Sequence, residues 1–160
     1  MTDLTHLDER GAARMVDVSA KDATVRQAEA EAIIVLSQAA FDAVTGARAP
    51  KGDVLATARV AGILAAKKTA ELIPLCHQIP LAAVTIDIGP LDGHTTFRIL
   101  ACARTKAETG VEMEALTAAA IAALTIYDMT KAIDRGARIE RLRLLSKSGG
   151  KTGTYSASSK

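Results

Sequence analysis

Asp128 and Lys131 stand three apart in IYDMTKAID, so a helix there puts a carboxylate and an ammonium on one face. Each shifts the other's pKa, and together they can move protons as an acid/base pair. The plainer alternative is a surface ion pair, worth little energetically. Asp128 follows a long run with almost no charge, and an acid closing a buried stretch is costly unless used or paired. A second candidate is LIPLCHQIP, residues 72–80, where Pro74 stops a helix and Pro80 precedes a strand. Leu75, Cys76 and His77 therefore fall in a tight connection, and His77 can donate to an anion or titrate near neutrality. No second His, Cys or acid sits at ligand spacing around it, so no metal centre is expected.

Glu112 and Glu114 flank Met113 where a helix begins. The helix dipole favours carboxylates there, and they also suit recognition of donor groups on a purine or pterin ring. Lys51 precedes another helix start, where backbone N–H groups favour anions. SKSGGKTG, residues 146–153, imitates a phosphate loop but has Leu145 where a Walker motif needs glycine, and little chain follows it. Its Gly-Gly step with Lys147 and Lys151 still suits closure over an anion. Glu112 and Asp128 are sixteen residues apart on one helix, about 24 Å at the standard rise. If both serve one small ligand, two chains must build the site.

The elements that position these residues follow from periodicity. Thr24–Leu36 alternates Gln27, Glu29 and Glu31 with Ala28, Ala30 and Ala32, and reads as a strand despite its helix-favouring composition. Ser37–Val44 reads as a short helix with Ser37 as N-cap and Gly46 closing it. Gly52–Ile73 reads as a helix with Asp53 in its first turn. Val84–Ile88 and Thr95–Ala103 read as strands joined at GPLDG, Val111–Ile133 as the longest helix, and Arg138–Leu145 as a last strand. The order β-α-α-β-β-α-β predicts an α+β ferredoxin-like plait, a four-stranded and mostly antiparallel sheet with helices on one face. Residues 1–160 are expected to form a single domain, with 1–14 and 150–160 as flexible tails.

Composition bounds the function. Alanine supplies 32 of 160 residues, so the core is finely divided and its helices can approach closely. The aromatics are Phe41, Phe97, Tyr127 and Tyr155 alone, too few for base stacking, and the net charge is only +2, so no nucleic-acid partner is expected. The stretch from Lys131 to Lys151 carries +5, which fits either a small anionic ligand or a charge-guarded edge strand. Cys76 and Cys102 form no CxxC, the start MTDLTHLDER reads as no targeting peptide, and no apolar run spans a bilayer. A cytoplasmic protein without a membrane partner is expected.

Taken together, MVDVSAK (15–21), KGDVLATARVAGILAAK (51–67), LIPLCH (72–77), TGVEMEALTAAAIAALTIYDM with Lys131 (109–131) and LLSKSGGK (144–151) resemble the MoaC family. These are the cyclic pyranopterin monophosphate synthases of molybdenum cofactor biosynthesis. The resemblance runs from about residue 12 to 151. It implies a lyase acting on 3′,8-cyclo-7,8-dihydro-GTP, with pyrophosphate released. It also implies a hexamer of three dimers with sites at the dimer interface. Carried over residue by residue, it makes Asp128 the catalytic acid/base, with Lys131 and Lys51 in acid/base and phosphate roles. It puts Leu75, Cys76, His77, Met113 and Glu114 on the substrate, Glu112 at its ring end, and Lys147 and Arg26 on the triphosphate. Asp17 matches a family position of less defined role. Where the family usually has proline after the histidine, this chain has Gln78. The implied chemistry needs no redox cofactor, and magnesium on the phosphates stays open. The alternative function is a purine-nucleotide-binding regulatory module that keeps the cations but has no use for the acid.

Overall fold

A computed structural model describes residues 10–151 and 153–158. Its elements are β1 (Thr24–Val35), α1 (Gln38–Thr45), α2 (Val54–Lys67), α3 (Thr69–Leu72), β2 (Leu81–Pro90), β3 (Thr96–Ala107), α4 (Glu112–Thr130), β4 (Arg138–Ser148) and β5 (Tyr155–Ser156). The sheet runs β2-β3-β1-β4-β5, with every neighbouring pair antiparallel. Its first four strands have the order and connections of the expected ferredoxin-like plait.

Strand alternation decides the faces. Ala28, Ala30, Ala32 and Ile34 of β1 are buried under the helices, as are Phe97, Ile99, Ala101 and Ala103 of β3. Ala115, Ala118, Ala119, Ala122, Ala123 and Ile126 of α4 meet them. Because most of these side chains end at Cβ, α4 and α2 lie close together. A methyl group on Gly62 of α2 would stand 2.8 Å from the Ala118 carbonyl oxygen of α4. Burial of small apolar groups and close packing, rather than a few large side chains, hold the layers together.

Local signals place the ends of the elements. Ser37 Oγ accepts from the Ala40 amide at 3.3 Å and Gly46 closes α1, as expected. Asp53 is the N-cap of α2, its Oδ1 accepting from the Ala56 amide at 2.9 Å. The helix expected over 52–73 is two pieces: α2 stops at Lys67 and α3 resumes at Thr69. The Thr69 hydroxyl donates to the carbonyls of Ala66 (3.0 Å) and Ala65 (3.4 Å), satisfying acceptors that the break releases. Strands β2, β3 and β4 extend beyond the expected ranges, since antiparallel pairing carries them past the alternating segments.

The expected C-terminal tail is partly pinned. Tyr155 and Ser156 pair with Lys147 and Ser146 of β4, and the Ala157 amide donates to the Leu145 carbonyl at 2.7 Å. Residues 1–9, 152, 159 and 160 of the two expected tails lie outside the described residues. At the return from β4, Gly149 and Gly150 both have positive φ, 91° and 77°. A Cβ on Gly149 would strike the Val25 carbonyl, and one on Gly150 the Arg26 guanidinium. Only glycine permits this turn to lie against β1.

On the face away from the helices, Glu31 is 4% exposed and accepts from Arg98 (2.6 Å) and Arg143 (3.0 Å), with Arg141 at 3.6 Å. Burial pushes its pKa up, but the two guanidinium hydrogen bonds prevail and hold it below the ordinary value. Arg138 pairs with Glu140 at 2.6 Å. Much of the basic stretch from 131 to 151 is therefore spent on the protein's own carboxylates rather than turned outward as a field for anions.

Candidate active site

A cleft of about 680 Å³ opens at the amino end of α4, within the usual range for small-molecule sites. On the sheet face that carries the helices, β1 and β4 continue past the start of α4. Thr24, Arg26 and Lys147 thus line the cleft together with Glu112, Met113 and Glu114. Leu75, Cys76 and His77 add another wall, and the Gly149–Gly150 turn a further one. All eight residues expected to contact substrate line this one cleft: Arg26, Leu75, Cys76, His77, Glu112, Met113, Glu114 and Lys147.

Several polar side chains of the cleft are held by partners within the protein. Arg26 donates from Nε to the Ala107 carbonyl and from Nη2 to the Glu108 carbonyl, both at 2.9 Å. This fixes its fork at the end of β3. Lys147 Nζ lies 3.0 Å from Glu112 Oε1. Glu114 is buried, and burial raises its pKa against the pull of its own backbone N–H, with the nearby Glu112 adding to the rise. Burial and the Glu114 charge also raise the Cys76 thiol, which therefore stays protonated at neutral pH and is a poor nucleophile. His77 Nε2 is 2.7 Å from the Val16 carbonyl, an acceptor only, so Nε2 carries the hydrogen and donates. Gln78 in place of the family's proline leaves the histidine on the cleft.

The His77 bond holds the segment around Val16 against the cleft. Val16, Val18, Lys21 and Asp22 run along the cleft, and Asp17 lies on an adjoining shallow pocket with Met15, Ser19 and His77. The Ser19 amide donates to Asp17 Oδ1 at 2.9 Å and lowers the carboxyl pKa. The MVDVSAK match was the signal for this strap. Its lack of periodicity left its course open.

Asp128, Lys131 and Lys51 form a separate cluster toward the carboxyl end of α4, and none of them lines the cleft. Asp128 Oδ2 is 2.7 Å from Lys51 Nζ and Oδ1 is 2.7 Å from Lys131 Nζ. Lys51 also donates to the Asp128 carbonyl at 3.0 Å. In the protomer this acid is not buried: its side chain is 54% exposed. Hydrogen bonds from Lys131 and Lys51 depress its pKa to about 2, and the same carboxylate raises that of Lys131. At neutral pH the cluster is one carboxylate between two ammonium groups. Among the described residues no group of three His, Cys, Asp or Glu side chains is placed to hold a metal, and no helix is long and apolar enough to cross a membrane.

An antiparallel plait with a cleft of small-molecule size at one end of its long helix, lined by several charged side chains, carries a lysine-flanked carboxylate at the other end. The MoaC family pattern matches residues 15–150. Relatives named cyclic pyranopterin monophosphate synthase include that of Nostoc sp., 57% identical over 95% of this chain and 90% of its own. Those of Trichodesmium erythraeum and Thermomicrobium roseum are each 56% identical, over 95% and 97% of this chain and 92% and 93% of their own. The chain belongs to the MoaC family.

Proposed function

We propose that this protein converts 3′,8-cyclo-7,8-dihydro-GTP to cyclic pyranopterin monophosphate in molybdenum cofactor biosynthesis. The observation that carries the reading is the convergence of the eight family-matched cleft residues on one ordered pocket. The ring end lies against Glu112, Met113 and Glu114, and the triphosphate against Arg26 and Lys147. A ribose-derived hydroxyl attacks the α-phosphorus. The new P–O bond forms as the bond to the β-phosphate breaks, and pyrophosphate leaves. Lysine ammonium groups offset the charge that develops on the phosphates.

Asp128, Lys51 and Lys131 complete the site from a second chain. Asp128 stands about 24 Å along α4 from Glu112 at the helical rise, which supports an assembly of at least two chains. The hexamer of three dimers is our reading of the wider assembly. In this site the Asp128 carboxylate orients two charged lysines and accepts protons, and it does not arrive carrying one. No protein-held cofactor enters the scheme, and any magnesium travels on the phosphates. We place the reaction in the cytoplasm, where free Cys76 and Cys102 are at home. The enzyme names of the relatives disfavour a regulatory module.

The test is turnover. Purified protein given the cyclic GTP derivative should yield the pyranopterin and one equivalent of pyrophosphate, followed by chromatography and a coupled phosphate assay. Binding without release of pyrophosphate refutes the reading.

A further inference from the structure

Thr24 opens β1 and lines the cleft. Its Oγ1 is shielded from solvent and is the one buried side-chain polar atom among the described residues without a hydrogen-bond partner. Buried hydroxyls in folded proteins are nearly always bonded, so an unbonded one in a binding site points to a ligand. Strand alternation puts Thr24 on the same face as Arg26, two residues on. Lys21 lines the same cleft three residues earlier. The cleft carries carboxylates as well as cations, Asp22 among them, but Lys21 and Arg26 flank Thr24 in sequence, and a hydroxyl beside such cations can donate to an anionic oxygen while they neutralise its charge.

We infer that Thr24 is a substrate-contacting residue, its hydroxyl donating a hydrogen bond to a phosphate oxygen of the bound triphosphate. The inference rests on the proposed function for the nature of the ligand.

The experiment compares Thr24→Val, which keeps the shape and removes the hydroxyl, with Thr24→Ser, which keeps the hydroxyl. Steady-state kinetics use the cyclic GTP derivative, with inorganic pyrophosphate as the inhibitor, and each variant is melted. Thr24→Val should raise KM about tenfold and weaken pyrophosphate inhibition by a similar factor, about 1.4 kcal/mol. Its Tm should not fall, because no bond within the protein is lost. Thr24→Ser should stay within about threefold of wild type in KM. An unchanged KM in Thr24→Val overturns the inference, and so does a lowered Tm with pyrophosphate inhibition intact, which would give the hydroxyl a purely structural partner. A wild-type protein that releases no pyrophosphate refutes the proposed function itself. An active wild type with an unaffected Thr24→Val refutes only the role of Thr24.

Discussion

A site built from two chains has a numerical consequence. Let one copy carry His77→Ala, which damages the cleft, and another Asp128→Asn, which damages the lysine cluster. Each variant alone should be inactive, because every site then contains the same lesion. In a mixed dimer, one site joins the damaged cleft to the damaged cluster. The other joins the intact cleft of one copy to the intact cluster of the other. In the purified mixed dimer one site of two works, so activity recovers to about 50% of wild type; an unfractionated random mixture of equal amounts, in which half the dimers are mixed, recovers about 25%. The expectation follows from structure: His77 lines the cleft, Asp128 does not, and some 24 Å of α4 separate Asp128 from the cleft residue Glu112. The assay is co-expression with two different tags, sequential purification of the mixed species, and measurement of pyrophosphate release. If the mixed species is as inactive as its parents while remaining oligomeric, one chain holds the whole site and the two-chain reasoning fails.

Two further outcomes are expected. The Asp128 carboxyl should titrate near 2 by carbon-detected NMR, and Lys131→Ala should move it up toward its ordinary 3.8; an unshifted midpoint in that variant would deny the lysine its part. Glu31→Gln should destabilise the protein by about 1–3 kcal/mol in urea unfolding, the cost of breaking a buried pair reduced because its arginine partners remain partly in water. Since the folded pKa of Glu31 is depressed, its contribution is present above the ordinary 4.5 and lost as pH falls through the folded value. The difference between variant and wild type should therefore shrink in acid, and a gap that is constant or widens would contradict the assignment.

The parts of the fold that depend on neighbours in sequence were legible. Alternating Ala and Glu set β1 against its helix-favouring composition, Ser37 marks the start of α1, and Asp53, expected inside the first turn of α2, caps it instead. What pattern alone did not yield depends on distant partners. β5 exists because β4 offers it an edge, not because Tyr155 and Ser156 favour a strand. The break at Lys68 is stabilised by a threonine hydroxyl that periodicity does not weigh. Glu31 looked like one more polar outward position, yet Arg143, 112 residues away, helps to bury it. Motif resemblance brought out the cleft residues before any contact was known. The exposure of Asp128 in the protomer is the opposite of what its apolar neighbours along the chain suggest, because α4 turns the face that carries Leu124 and Asp128 away from the core.

The pairing of β5 with β4 changes how the glycine turn at 149–150 behaves. Anchored by strands on both sides, the turn is a short closed loop rather than the root of a loose end. Its conformational entropy is surrendered when the chain folds, before any guest arrives. The ordering that this pairing imposes is met by folding, so an incoming molecule keeps more of its interaction energy as affinity.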